Sequence, residues 1–212
     1  MRLYDYAASG NCFKVRLLLA QLGLAYERVP VDIFAGDTLT DEFGRLNPAR
    51  ETPVLVREGA RPLPESNAIL LHLAEGTELL PAGPEHRAQV YRWLFFEQAE
   101  LIPAVAGLRF RLATGRIAAD DPGALRRRAA GEELLRLLES ELGERDFLVE
   151  GGYSVADIGL YAYLHVAPEA GYALPAALRS WIERVEAQPG FMNDLEPYPD
   201  NARPGASRSI YD

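Results

Sequence analysis

The feature that most limits how this chain can fold is a break in hydrophobic rhythm at Gly76 to His86 (GTELLPAGPEH), where two prolines and two glycines interrupt helical periodicity on both sides. Before it, short apolar runs at Leu3 to Tyr6, Tyr26 to Val31 and Val54 to Val56 alternate with helix-like segments. After it, the pattern is helical throughout. A chain of 212 residues, 48% hydrophobic, has room for one large or two small domains. The break therefore predicts an α/β domain over residues 1–76, a linker at 77–86, and an all-helical domain with a closing tail over 87–212.

Within the first domain, Val15, Leu18, Leu19 and Leu22 recur at the spacing of one buried helical face, Gly23 stands near the stop, and Asn11 suits the N-cap. Thr52-Pro53 opens a strand, where a residue without an N–H belongs, Glu58-Gly59 suits a hairpin turn, and Leu63 lies in a short strand before a helix beginning at Ser66. The predicted order is β-α-β-α-β-β-α. In the second domain Pro84 opens a long helix that passes Phe110 and bends near Pro103. Asp121-Pro122 reads as a cap followed by proline at the first helical position, and Ser154-Val155-Ala156-Asp157 as a capping box. Tyr91, Trp93, Phe95, Phe96 and Phe110 fall at helical spacing and read as core before pocket.

Twenty-two basic against thirty-one acidic residues give a net charge of -9, a field that repels polyanions and argues against nucleic acid as a partner. Cys12 is the one cysteine, so no intramolecular disulfide is possible, and the N-terminus lacks a secretory pattern. With no apolar run of about 18 residues, no membrane association is expected. A cytoplasmic, soluble chain is the expectation. The histidines stand apart with no ligand partner at metal spacing, so no metal site is expected, and P-loop, dinucleotide and nucleophile-elbow motifs do not occur.

Three places offer chemistry. Ser9-Gly10-Asn11-Cys12 precedes the first helix, whose unpaired N–H groups and partial positive charge stabilise an anion such as a thiolate. A serine hydroxyl there can donate to a ligand's thiolate; equally, Ser9 can cap the turn while Cys12 is a small buried hydrophobe. Lys14, the chain's single lysine, either adds charge near this site or is solvated on the helix. Glu65-Ser66 at the third helix offers an acceptor for an ammonium group and an anion site for a carboxylate, or else an ordinary cap. Thr52-Pro53, if cis, turns the Thr52 backbone outward to pair with an extended peptide; trans is the base expectation.

Taken in order, Ser9-x-Asn11-Cys12, Asn47-Pro48 leading to Thr52-Pro53-Val54-Leu55, Glu65-Ser66-Asn67-Ala68-Ile69-Leu70 and Ser154-x-x-Asp157 resemble a soluble bacterial glutathione S-transferase over nearly the whole chain. The resemblance implies a thioredoxin-like first domain with Pro53 cis, a helical second domain, and a homodimer. It implies glutathione as co-substrate, with Thr52 pairing its cysteinyl backbone and Glu65 and Ser66 holding its γ-glutamyl end. Arg50 is then a partner for its glycine carboxylate, which Glu51 would repel. The thiol would be activated by Ser9, Asn11 or Cys12, in that order, for attack on a hydrophobic electrophile at the domain interface, where Phe96 and Phe110 are expected. Alternatives are a glutathione-dependent peroxidase or disulfide reductase using Cys12, and a glutathione-binding module without catalysis.

Overall fold

The three strands bear out the short apolar runs to within a residue or two. β1 (Arg2–Asp5) lies at the centre, parallel to β2 (Glu27–Pro30) and antiparallel to β3 (Val54–Val56), in the order β2-β1-β3 among the described residues. This computed structural model describes residues 1–143 and 145–211. The expected fourth strand is a single bridge, Leu63 exchanging both backbone hydrogen bonds with Leu55 (2.9 and 2.8 Å). Pro62 and Pro64 flank it and have no N–H to carry the ladder further. The order β-α-β-α-β-β-α otherwise stands, with α1 (Gly10–Gln21), α2 (Asp41–Leu46) and α3 (Ser66–Ala74) as its helices.

α1 departs from the one-face expectation: every residue from Cys12 to Leu19 is buried, Lys14 and Arg16 included. Arg16 is accommodated because its guanidinium meets Asp5 of β1 at 2.6 Å and both oxygens of Asp194 at 2.9 Å, while Arg28 of β2 closes on the other Asp5 oxygen at 2.6 Å. Asp194 belongs to the closing segment, and this network draws that segment onto the α/β unit. Glu196 N–H to Ala7, Asn201 to the Asp32 carboxylate and Arg208 N–H to Phe34 continue the attachment. The chain accordingly divides into two compact units, residues 1–73 with 192–212, and residues 74–191, whereas the sequence grouped the tail with the helices.

In the second unit, α4 (Pro84–Phe96) runs into a ten-residue π-helical stretch (Glu97–Ala106) and then α5 (Gly107–Ala113). The stretch contains Pro103. The expected bend is thus a widened turn, a way for a helix to absorb a proline that cannot donate to the preceding turn. The aromatic residues of this run do not form one core cluster. Trp93 is buried, Phe96 and Phe110 are half-buried, and Phe95 is 73% exposed. Residues two apart on a helix point to different sides, so Trp93 and Phe95 cannot share a face.

α6 (Pro122–Leu142) starts on the expected Asp121 cap, whose carboxylate accepts from Gly123 N–H. α7 (Val155–Leu164) starts on the expected capping box. Asp157 does more than cap. It is fully buried and accepts from Ser154 N–H and Leu148 N–H (3.0 Å each), Ser154 Oγ (3.2 Å) and the indole N–H of Trp181 (2.9 Å) on α8 (Ala176–Glu186). Trp93 in turn donates to Leu148 O, so one carboxyl organises four segments of the unit. Among the described residues, no helix is long and apolar enough to cross a membrane.

Burial pushes the Asp157 carboxyl up from 3.8 to about 6, against the pull of its four donors. The folded chain then holds this proton more tightly than the unfolded one, so its contribution is greatest below the unfolded value and is lost as pH rises from 3.8 to about 6. Asp157→Asn should remove that slope from denaturant-measured stability. It should also lower stability at neutral pH by about 2–4 kcal/mol, because an amide N–H₂ set against the Ser154 donors leaves buried groups unpaired.

Candidate active site

The site is built where the loop after β1 enters α1. Ser9, not Asn11, is the N-cap: it has extended backbone, and its Oγ accepts from Cys12 N–H at 3.3 Å. The hydroxyl accepts in that bond, so its own proton remains available to a ligand. Gly10 and Asn11 N–H have no partner among the described residues, which leaves two donors at the positive end of the helix.

Two cross-links join α1 to α3. Ser66 Oγ donates to Asn11 Oδ1 at 3.1 Å, and Lys14 Nζ donates to Asn67 Oδ1 at 2.7 Å. Ser66 is therefore more than a cap. It opens α3, is buried, and ties one helix start to the other, so that the expected thiol-activating and γ-glutamyl-binding residues form a single site. Because Asn11 accepts through its oxygen, its amide N–H groups are left to donate. Lys14 is not the solvated helix residue that was one of its two readings; it is buried and places its charge one turn below the helix tips.

The Thr52-Pro53 peptide is cis, and Thr52 backbone N–H and C=O have no partner among the described residues. Arg50 and Glu65 are the two non-glycine residues of positive φ among those described, at 60° and 69°, so uncommon non-glycine backbone falls in the two segments that the resemblance marks for the peptide. Arg50 turns its guanidinium onto the carbonyl oxygens of Thr38 and Thr40 (2.8 and 2.9 Å), so its Nη1 is committed to holding the loop before α2. Glu51 lies within the field of Glu65, and partial burial together with that like charge raises its carboxyl. Two carboxylates facing one region suit a cation better than either does alone.

Cys12 requires a correction. By sequence it is a third thiol-activating candidate and a nucleophile in its own right, but its sulfur is fully buried and accepts from Tyr6 N–H at 3.3 Å. Burial, reinforced by the Asp5 charge, pushes the thiol up to about 11, away from the thiolate that redox chemistry requires. It is core. Phe96 and Phe110 lie in the second unit, Phe96 edge-on to Trp93 at 5.4 Å and Phe110 beneath the Arg116 guanidinium at 5.0 Å. Among the described residues, no group of three His, Cys, Asp or Glu is gathered as for a metal ion.

Sequence reasoning did not single out Tyr6. It follows β1, and its ring packs edge-on to Phe34 at 5.8 Å. A hydroxyl-bearing residue at the carboxyl end of the central strand, three residues before Ser9, was the available signal.

A cis-proline strand start with an unpaired backbone, lying beside an open helix start and followed by a helical unit, is the arrangement of a thioredoxin-like domain joined to a helical one. Family models agree. Residues 8–75 match the glutathione S-transferase N-terminal domain and residues 100–189 the C-terminal domain, and the chain belongs to the glutathione S-transferase family. It is a glutathione-dependent transfer enzyme. It is 41% identical to a glutathione S-transferase of known structure from Pseudomonas fluorescens, with a TM-score of 0.88 and coverage of 92% of this chain and 98% of the other. It is 30% identical to the disulfide-bond oxidoreductase YfcG of Escherichia coli, over 87% of this chain and 89% of that one. A glutathione transferase structure from Pseudomonas putida, with one glutathione disulfide bound per subunit, is 27% identical, with a TM-score of 0.80 over 92% of this chain and 90% of the other.

The burial of Cys12 fixes a test. In the native protein an aromatic disulfide reagent should release no chromophore, whereas the unfolded chain should react once. Cys12→Ala should cost about 1–2 kcal/mol of stability through the small cavity it leaves, while glutathione turnover persists.

Proposed function

We propose that this chain activates the glutathione thiol with Ser9, assisted by the Asn11 amide and the tip of α1, for attack on a hydrophobic electrophile. The observation that carries the reading is the Ser9 geometry: its oxygen is held by Cys12 N–H, and its proton is free beside the unpaired Gly10 and Asn11 N–H groups. A thiolate at that point gains a charge-assisted hydrogen bond and a helix dipole. One pKa unit is about 1.4 kcal/mol, so lowering a bound thiol by about two units needs roughly 2.7 kcal/mol, within the reach of these interactions together. The rest of the peptide follows from the same donors and acceptors. The free Thr52 backbone pairs with the cysteinyl residue, the backbone N–H groups at Ser66 and the start of α3 take the γ-glutamyl carboxylate while the Ser66 hydroxyl stays on Asn11, and Glu65 with Glu51 takes its ammonium group. Pro53 sets the direction of that edge. Arg50 shapes the loop next to the glycine end. Phe96 and Phe110 are proposed as contacts for the electrophile. A buried single cysteine suits a reducing cytoplasm.

A second reading, disulfide reduction, is favoured by the relative YfcG, named a disulfide-bond oxidoreductase. With Cys12 buried, the glutathione thiolate itself would attack one sulfur of the disulfide. The S–S bond breaks, a mixed disulfide forms, and the leaving thiolate takes up a proton. Comparing aryl halide conjugation with reduction of a hydroxyethyl disulfide adduct ranks the two.

Ser9→Ala should lower kcat/KM roughly 10- to 100-fold, the loss expected for one charge-assisted hydrogen bond, and raise the thiol pKa of bound glutathione in a spectroscopic titration. An unchanged titration removes the reading. The proposed homodimer rests on Tyr91 and Phe95, exposed aromatic residues one turn apart on α4. Phe95→Glu should convert dimer to monomer in sedimentation velocity; a sedimentation coefficient equal to that of the parent protein removes this face from the interface.

A further inference from the structure

The closing segment meets the opening unit at the turn that delivers Ser9. Tyr6 to Ser9 form a β-turn, with Ser9 N–H donating to Tyr6 O at 3.1 Å and Ala7 and Ala8 as the central residues. Its start is pinned by Tyr6 N–H on the Cys12 sulfur (3.3 Å) and its end by Cys12 N–H donating to Ser9 Oγ (3.3 Å). Its middle is held from further away. The Ala7 carbonyl accepts from Arg16 Nη2 at 3.2 Å and from Glu196 N–H at 3.3 Å, one donor from α1 and one from the closing segment. Both donors depend on Asp194. Its carboxylate takes Arg16 Nε on both oxygens at 2.9 Å, its own carbonyl lies 3.5 Å from Arg16 Nη2, and Arg28 Nη1 stands 4.0 Å from its Oδ2. With Nη1 on Asp5 at 2.6 Å, every nitrogen of the Arg16 guanidinium has a partner, and the planar fork is fixed in the orientation that aims Nη2 at Ala7. Asp194 also anchors the stretch in which Glu196 follows two residues later.

We propose that Asp194 is a positioning residue for thiol activation: through Arg16 and Glu196 it fixes the Ala7 carbonyl, and with it the turn that sets where Ser9 and the open tip of α1 stand. This rests on the Ser9 reading above. Asp194 touches no reacting atom, and its effect passes through backbone. A hydrogen bond weakens steeply as its donor is shifted or turned, so a turn held at start, middle and end favours the thiolate more than one held at its two ends alone. The closing segment is thereby part of the support of the site and not only an appendage of the fold.

Titrating the ultraviolet thiolate absorbance of bound glutathione in the full-length parent protein, Asp194→Ala, Glu196→Pro and Ser9→Ala, with aryl halide turnover measured alongside, tests this. Glu196→Pro removes one backbone N–H at an exposed residue and touches none of the Arg16 ion pairs, so it decides the matter where Asp194→Ala, which leaves the buried Arg16 short of a partner, fails to fold. A smaller folded fraction lowers the amplitude of the titration and does not move its midpoint, which separates positioning from a merely structural role. The expected result is a midpoint raised by about 0.5–1 pH unit in either variant, with kcat/KM down roughly 3- to 10-fold, the corresponding factor in thiolate population at pH values below both midpoints. No rise in Asp194→Ala or Glu196→Pro while Ser9→Ala does shift would overturn the inference, whatever happens to turnover. A Ser9→Ala midpoint equal to that of the parent would instead overturn the reading on which it rests.

Discussion

At the first turn of α1, Gly10 and Asn11 present N–H groups with no partner among the described residues, and the other features of the site are arranged around that deficit. Ser9 satisfies the next donor along through its oxygen, which leaves its own proton to donate. Ser66 and Asn67 reach across from α3 to hold Asn11 and Lys14, so the two helix starts are fixed against one another by two hydrogen bonds and cannot drift apart. A helix end left open in a rigid setting attracts anions, and the rigid setting is what separates a receptor from a frayed terminus.

The two units are held by opposite electrostatic solutions. In the first, buried Asp5 is shared by Arg16 and Arg28, and Arg16 also takes Asp194, so charge is balanced by charge. In the second, Asp157 has no cationic partner among these contacts and is balanced by neutral donors from a cap, a loop and an indole. Ion pairs tolerate burial only when complete, and a carboxyl met by dipoles alone pays for its desolvation in proton affinity. That difference explains why the Asp157 carboxyl is raised.

Much of this architecture was legible from local rules. The caps at Asp121 and Ser154, the proline-opened α4 and the strand at Val54 follow from residue types whose backbone chemistry is self-contained. What sequence could not give depends on partners distant along the chain. Arg16 and Lys14 look like surface residues until Asp194 and Asn67 are known to meet them. Cys12 sits at a reactive-looking helix start, yet alternation of neighbours puts its sulfur under Tyr6 N–H. Arg50 resembles a carboxylate binder by position, and the sequence could not show that its Nη1 is also held by two loop carbonyls. The state of Thr52-Pro53 was accessible only through family resemblance, since an isolated X-Pro pair favours trans.

The attachment of residues 192–211 to the first unit also orders events during synthesis. A ribosome delivers β1, α1 and β2 early, when Arg16 has only Asp5 and the Ala7 carbonyl within its own stretch of chain. Asp194 emerges after the entire helical unit. The opening unit is thus a discontinuous domain, and its final consolidation waits on translation of a segment that lies beyond its neighbour, so vectorial folding of the two halves is interleaved and not sequential.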